Sequence, residues 1–213
     1  MQRVMAGVLG CLVMSLVMTS AVARAASEDD RGLDGGGMPL TELTVWMGTS
    51  DRSVTASLAP VRDLVSRLFA RAGVHVNWLS GAMPPTQGAL LVLFSRSHDA
   101  PQPPKAVDVL GVAHPGSNGS PGVFARVFSD RAVAFADEHR LDLTSVLAGI
   151  VVHELGHLLL PGNAHSYVGI MQPVWHPQLF PPNASSVPGF AAWQAKELRS
   201  VLATAELTLA RAH

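Results

Sequence analysis

The spacing of apolar and polar residues changes several times along the chain, and each change predicts an element. Residues 43–47 (LTVWM) alternate as a strand does. In 60–73 (PVRDLVSRLFARAG) the apolar residues Val61, Leu64, Val65, Leu68 and Phe69 fall on one helical face, and Gly73 closes the helix. Alternation returns in 74–79 (VHVNWL), with Val74, Val76 and Trp78 on one side and His75 and Asn77 on the other, so His75 reads as a surface residue. The unbroken apolar run 89–94 (ALLVLF) suits a strand covered on both faces. Two more strands, 109–114 (VLGVAH) and 122–128 (GVFARVF), flank a loop rich in turn residues. The longest helical segment is 143–160, with Thr144 as its cap and Pro161-Gly162 as its stop. A last helix over 188–211 carries Phe190, Trp193, Leu198, Val201, Leu202 and Leu209 as its stripe. The order is strand, helix, strands, helix, loop, helix, which is an α+β arrangement without internal repeats.

The N-terminus is of another kind. Arg3 precedes an apolar run from Val4 to Val22, followed by Ala23-Arg24-Ala25. This is the layout of a secretory signal peptide, 1–25, cut before Ala26, and it predicts a secreted or periplasmic protein with no membrane span in the mature chain. Residues 26–38 read as an acidic, glycine-rich lead-in, and 39–213 as one domain. Cys11 follows Val8-Leu9-Gly10, a faint lipoprotein box, but the apolar run continues past it.

Composition narrows the chemistry. A net charge of −1 over 213 residues, without basic clusters, speaks against a nucleic-acid partner. The mean hydropathy of +0.27 owes part of its height to the leader. Cys11 is the one cysteine and lies in the leader, so a metal site in the mature chain must use His, Asp or Glu. Asn118 and Asn183 each begin an N-x-S triplet, meaningful only in a glycosylating host.

The segment 153–171, HELGHLLLPGNAHSYVGIM, holds the candidate chemistry. His153 and His157 are four apart, one turn along the same helical face, where two imidazoles can each reach a zinc ion at ~2.0–2.1 Å. Glu154 projects about 100° around the axis, beside the metal rather than on it, where a general base belongs. Placing these groups in an otherwise apolar helix is costly unless they have partners. His165 is the third ligand candidate, after a turn at Pro161-Gly162; His176 and Glu197 are the alternatives. Three imidazoles with an open position suit Zn2+.

These residues resemble the metzincin zinc peptidases, whose pattern is H-E-x-x-H-x-x-G-x-x-H followed by a methionine turn. His153, Glu154, His157, Gly162 and His165 fill those places, and Met171 matches the methionine beneath the metal. The stretch HSYVGIMQP is most similar to the matrixin branch, and also to HExxH proteins secreted by bacteria. The resemblance implies a mixed, mostly parallel five-stranded twisted sheet with an antiparallel edge strand, an active-site helix, a Met-turn and a C-terminal helix. It makes Leu110, Gly111, Val112, Ala113 and His114 the edge strand that binds substrate. It implies one catalytic zinc, Glu154 as general base and a protein or peptide substrate, cut by a protein acting as a monomer. Side-chain preference would come from the loop 172–187. The rival expectations are a zinc-holding module without turnover and a surface lipoprotein adhesin acylated at Cys11.

The departures are specific. Four residues, not two, separate His157 from Gly162, while Gly162-Asn163-Ala164-His165 keeps the family spacing. A longer helix exit or a wider Pro161-Gly162 turn would absorb the difference. The matrixin cysteine switch cannot exist in a cysteine-free mature chain, and nothing corresponds to the structural zinc and calcium loops. Tyr167, the sole tyrosine, is expected to pack, or alternatively to reach the site.

Overall fold

A computed structural model describes residues 41–82, 89–101, 104–106, 108–114, 123–162, 164–180 and 187–211. The leader with Cys11, the lead-in, and the triplets at Asn118 and Asn183 lie outside the described residues, as does 181–186 of the loop 172–187. Residues 39–213 cluster as one compact unit.

Five strands form one sheet: β1 (Thr41–Thr49), β2 (Val74–Leu79), β3 (Leu90–Ser95), β4 (Gly111–His114) and β5 (Phe124–Phe128). Their spatial order is β2-β1-β3-β5-β4. All neighbours are parallel except β4, which runs antiparallel to β5 at the sheet edge. Around the sheet lie α1 (Leu58–Ala70), α2 (Ser129–His139), α3 (Leu143–Leu159) and α4 (Ala192–Arg211). The α+β sheet with a single antiparallel edge strand is as expected. Among the described residues no helix is long and apolar enough to cross a membrane.

Local sequence explains most of these elements. β3 buries Leu91, Val92 and Phe94, as an interior parallel strand covered on both faces requires. α1 turns its predicted face inward, burying Val61, Leu64, Val65, Leu68 and Phe69; each contributes roughly 1.5–3 kcal/mol on leaving water. After α1 the chain turns through Gly73 at φ 76 straight into β2, whose His75 is exposed.

Three expectations need correction. α2 was not foreseen: its fully buried residues are only Ser129, Ala132 and Ala136, with Val133 and Phe135 partly buried against the core, and it follows β5 without a turn signal. The cap of α3 is Asp142, not Thr144; its carboxylate accepts from both the N–H and Oγ of Ser145, each at 2.7 Å, so Thr144 already lies inside the helix. On α4 the inward face is set by Gln194, Leu198 and Leu202, leaving Trp193 55% exposed, while Phe190 precedes the helix and packs on Phe69 at 5.3 Å. The side chain of Leu209 lies outside the described residues.

α3 is central. It packs against α1 and α2 and lies along β4 and β5, and it is buried on every side from Ser145 through Gly156. A helix so enclosed carries no amphipathic stripe. Its two histidines and one glutamate are therefore held beneath the free edge of the sheet.

Candidate metal centre

His153, His157 and His165 meet at one point. One ring nitrogen from each lies within 4.8 Å of the other two. The ring centroids are 4.7 Å apart for 153–157, 5.5 Å for 153–165 and 4.7 Å for 157–165. Nε2 of His157 is 3.1 Å from Nε2 of His153. Two nitrogens held by a tetrahedral zinc at ~2.0–2.1 Å stand about 3.3 Å apart, so this pair fits such an ion closely. His176 is exposed and Glu197 sits half-buried on α4; neither belongs to the cluster.

The protonation state also fits. Nδ1 of His153 donates to the Ile170 carbonyl at 2.9 Å, leaving Nε2 as the free lone pair. Burial pushes the His153 pKa down to about 4 against the opposing pull of that hydrogen bond, and burial also lowers His157. Both rings therefore stand neutral near pH 7, as a metal ligand must.

Beyond His157 the helix continues before the chain turns back. α3 runs on to Leu159, and Leu160 then leaves it extended while its N–H still bonds Gly156 O at 2.8 Å. Gly162 turns the chain at φ 65. A buried side chain secures the return: Gln194 Nε2 donates to Ala164 O at 2.8 Å, and its Oε1 accepts from Ala191 N–H at 3.0 Å. Sequence reasoning missed Gln194. Its only signal was a polar residue one turn before Leu198 on a helix otherwise inward-facing there.

Met171 is fully buried against α3. A Cβ on Gly156 would stand 2.5 Å from its sulfur, so the methionine can lie under the helix only because position 156 is bare. Tyr167 neither packs nor lines the cleft: it is 99% exposed. It sits in the turn where Ser166 N–H closes onto Met171 O at 2.9 Å, which leaves its side chain outside.

Glu154 is 6% exposed and receives the N–H of Ala113 from β4. Burial raises its pKa to about 8, with the Ala113 hydrogen bond opposing. A cation at the three imidazoles would favour the carboxylate.

These groups form the floor of a cleft of about 520 Å³. Residues 108–113, which include most of the predicted edge strand, line it together with Ile150 of α3, and Pro173 and Trp175 line it from the following loop. Trp175 stands edge-on to His153 at 5.4 Å and stacks on Phe180 at 5.0 Å. Phe128 N–H donates to Leu110 O at 2.9 Å, so 110, 112 and 114 turn their main-chain groups toward β5. Gly111 and Ala113 turn theirs outward. His114 is exposed at the strand end, 5.2 Å from the Phe124 ring.

The chain matches no protein-family model, and no curated protein matches it either. What the site can do rests on its own residues.

Proposed function

We propose that the protein is a secreted zinc-dependent endopeptidase of the metzincin kind. The observation that carries this is the convergence of three imidazoles beside one buried carboxylate, in a cleft walled by the free edge of the sheet. A sulfur-free set of three imidazoles suits Zn2+ above other common ions. When bound, the ion supplies Lewis-acid polarisation of the scissile carbonyl and a lowered water pKa.

The chain supplies the rest. Glu154 takes the proton of the attacking water and returns it to the leaving nitrogen, the general acid–base role its place one residue after His153 allows. The outward main-chain groups of Gly111 and the carbonyl of Ala113, whose N–H is held by Glu154, pair with an extended peptide as an added strand. Among the described cleft residues none is Lys or Arg. Secretion rests on the leader sequence 1–25 alone.

The test is mature protein analysed for bound metal and assayed on a peptide library, alongside Glu154→Gln. The proposal expects about one zinc per chain and cleavage that falls by at least ~100-fold in the variant with zinc retained. Zinc absent from the protein, or full cleavage by Glu154→Gln, sinks the mechanism. Zinc without any cleavage would make the chain a zinc-holding module instead.

A further inference from the structure

The edge strand comes unusually close to the general base. A Cβ built on Gly111 would lie 2.7 Å from Glu154 Oε1, 2.9 Å from its Cγ and 2.9 Å from Ile150 Cγ2. Carbon–carbon contacts are optimal at about 3.5–4.0 Å, so no side chain fits at 111 while Glu154 keeps this place. Glycine weakens a strand interior and there commonly marks close approach of another group. Here that group is a carboxylate, held two residues further along the same strand by the Ala113 N–H.

We infer that Gly111 is a positioning residue for Glu154. Its bare Cα and the Ala113 N–H form a seat that sets the carboxylate against β4. Side chains alternate across a strand, so a Cβ at 111 points at α3, whereas the main-chain groups that would pair with a peptide lie in the plane of the sheet. The seat and the substrate ladder therefore share one strand: the Cα of Gly111 and the N–H of Ala113 serve Glu154, and the main-chain groups of Gly111 with the Ala113 carbonyl remain for the ladder. Glu154 and the peptide are registered to the same four residues, which fixes the base relative to the bond it serves. This consequence for catalysis rests on the peptidase reading; the seat itself does not.

Two measurements separate the two. In metal-free protein, thermal unfolding is compared for Gly111→Ala, Glu154→Ala and the double variant. The seat predicts that Gly111→Ala lowers the midpoint by several degrees in the parent and by less than half as much once Glu154 is truncated. An equal loss in both backgrounds overturns it, since Gly111 would then serve strand packing alone. If Gly111→Ala alone does not fold, recovery of folding in the double variant is the same prediction, and no recovery overturns it. In zinc-loaded protein, Gly111→Ala is expected to lower kcat by at least about tenfold with KM within about twofold and zinc content unchanged. A loss carried by KM, or none, overturns the catalytic role. A parent without peptidase activity would remove the function proposed above while leaving the unfolding comparison to decide the seat.

Discussion

Nδ1 of His153 hydrogen-bonds the carbonyl oxygen of Ile170 at 2.9 Å, across seventeen residues of chain. That bond selects the tautomer of the most buried of the three histidines and anchors the segment that carries Met171 against α3. The orientation of the His153 ring and the turn that carries Met171 are thus one unit, joined by a main-chain oxygen that no substitution removes.

Metal should stabilise the fold through this unit. At a free zinc concentration 1,000 times Kd the gain is about 4 kcal/mol, or roughly 8–16 °C in Tm for a chain of this size. Calorimetric melts with zinc and with chelator check it. His153→Ala, His157→Ala and His165→Ala should each abolish most of the zinc-dependent shift; a shift that survives in His165→Ala removes it from the ligand set.

In metal-free protein two buried residues should set opposing pH dependences of stability. His153 is neutral when folded down to about pH 4 but charges near 6.5 when unfolded, so stability falls as pH drops through that window. Glu154 has the opposite sign: it ionises near 4.5 unfolded and near 8 folded, so stability falls as pH rises between them. Between 4.5 and 6.5 these two slopes oppose each other, while His157, also lowered by burial, adds to the loss on the acid side. Glu154→Gln should therefore be more stable than the parent at pH 8 without metal, by urea unfolding. Equal stability there would contradict burial of the carboxyl.

Gly156→Ala should cost about 1–3 kcal/mol, because the new methyl meets the Met171 sulfur. Denaturant midpoints check it. Shortening Met171 to Ala in the same chain should recover part of the loss, and strictly additive losses would show that the two do not touch.

Gln194→Leu keeps the side chain's bulk but leaves Ala164 O and Ala191 N–H without their bonds. The expected loss is about 1–3 kcal/mol for each buried group left unpaired. Since Ala164 adjoins His165, zinc affinity should fall as well, measured by competition with a chromophoric chelator. Lost stability with unchanged affinity would mean that Gln194 holds α4 but not the ligand.

How legible the molecule was varies with the range of the forces involved. Strand 74–79 was read to the residue because its alternation and Gly73 are local signals. α2 was invisible because alanines bury little area and leave no periodic mark. Trp193 misled because size suggested burial, while the packing of α4 turned Gln194 inward instead. The loop 172–187 is proline-rich and without helix or strand periodicity, and that Trp175 lies beside His153 could not be read from it.

The sequence by itself determined that two histidines and a glutamate share one helix, since a separation of four is geometry internal to a helix. It also located the surplus residues between His157 and Gly162. Tertiary structure decided everything that depends on a second element: that His165 returns to within reach, that Ile170 fixes the ring of His153, and that β4 comes close enough to Glu154 to need a glycine. Main-chain carbonyls, N–H groups and missing Cβ atoms do this work. A sequence writes side chains, and the contacts made by backbone become visible only when the chain is folded against itself.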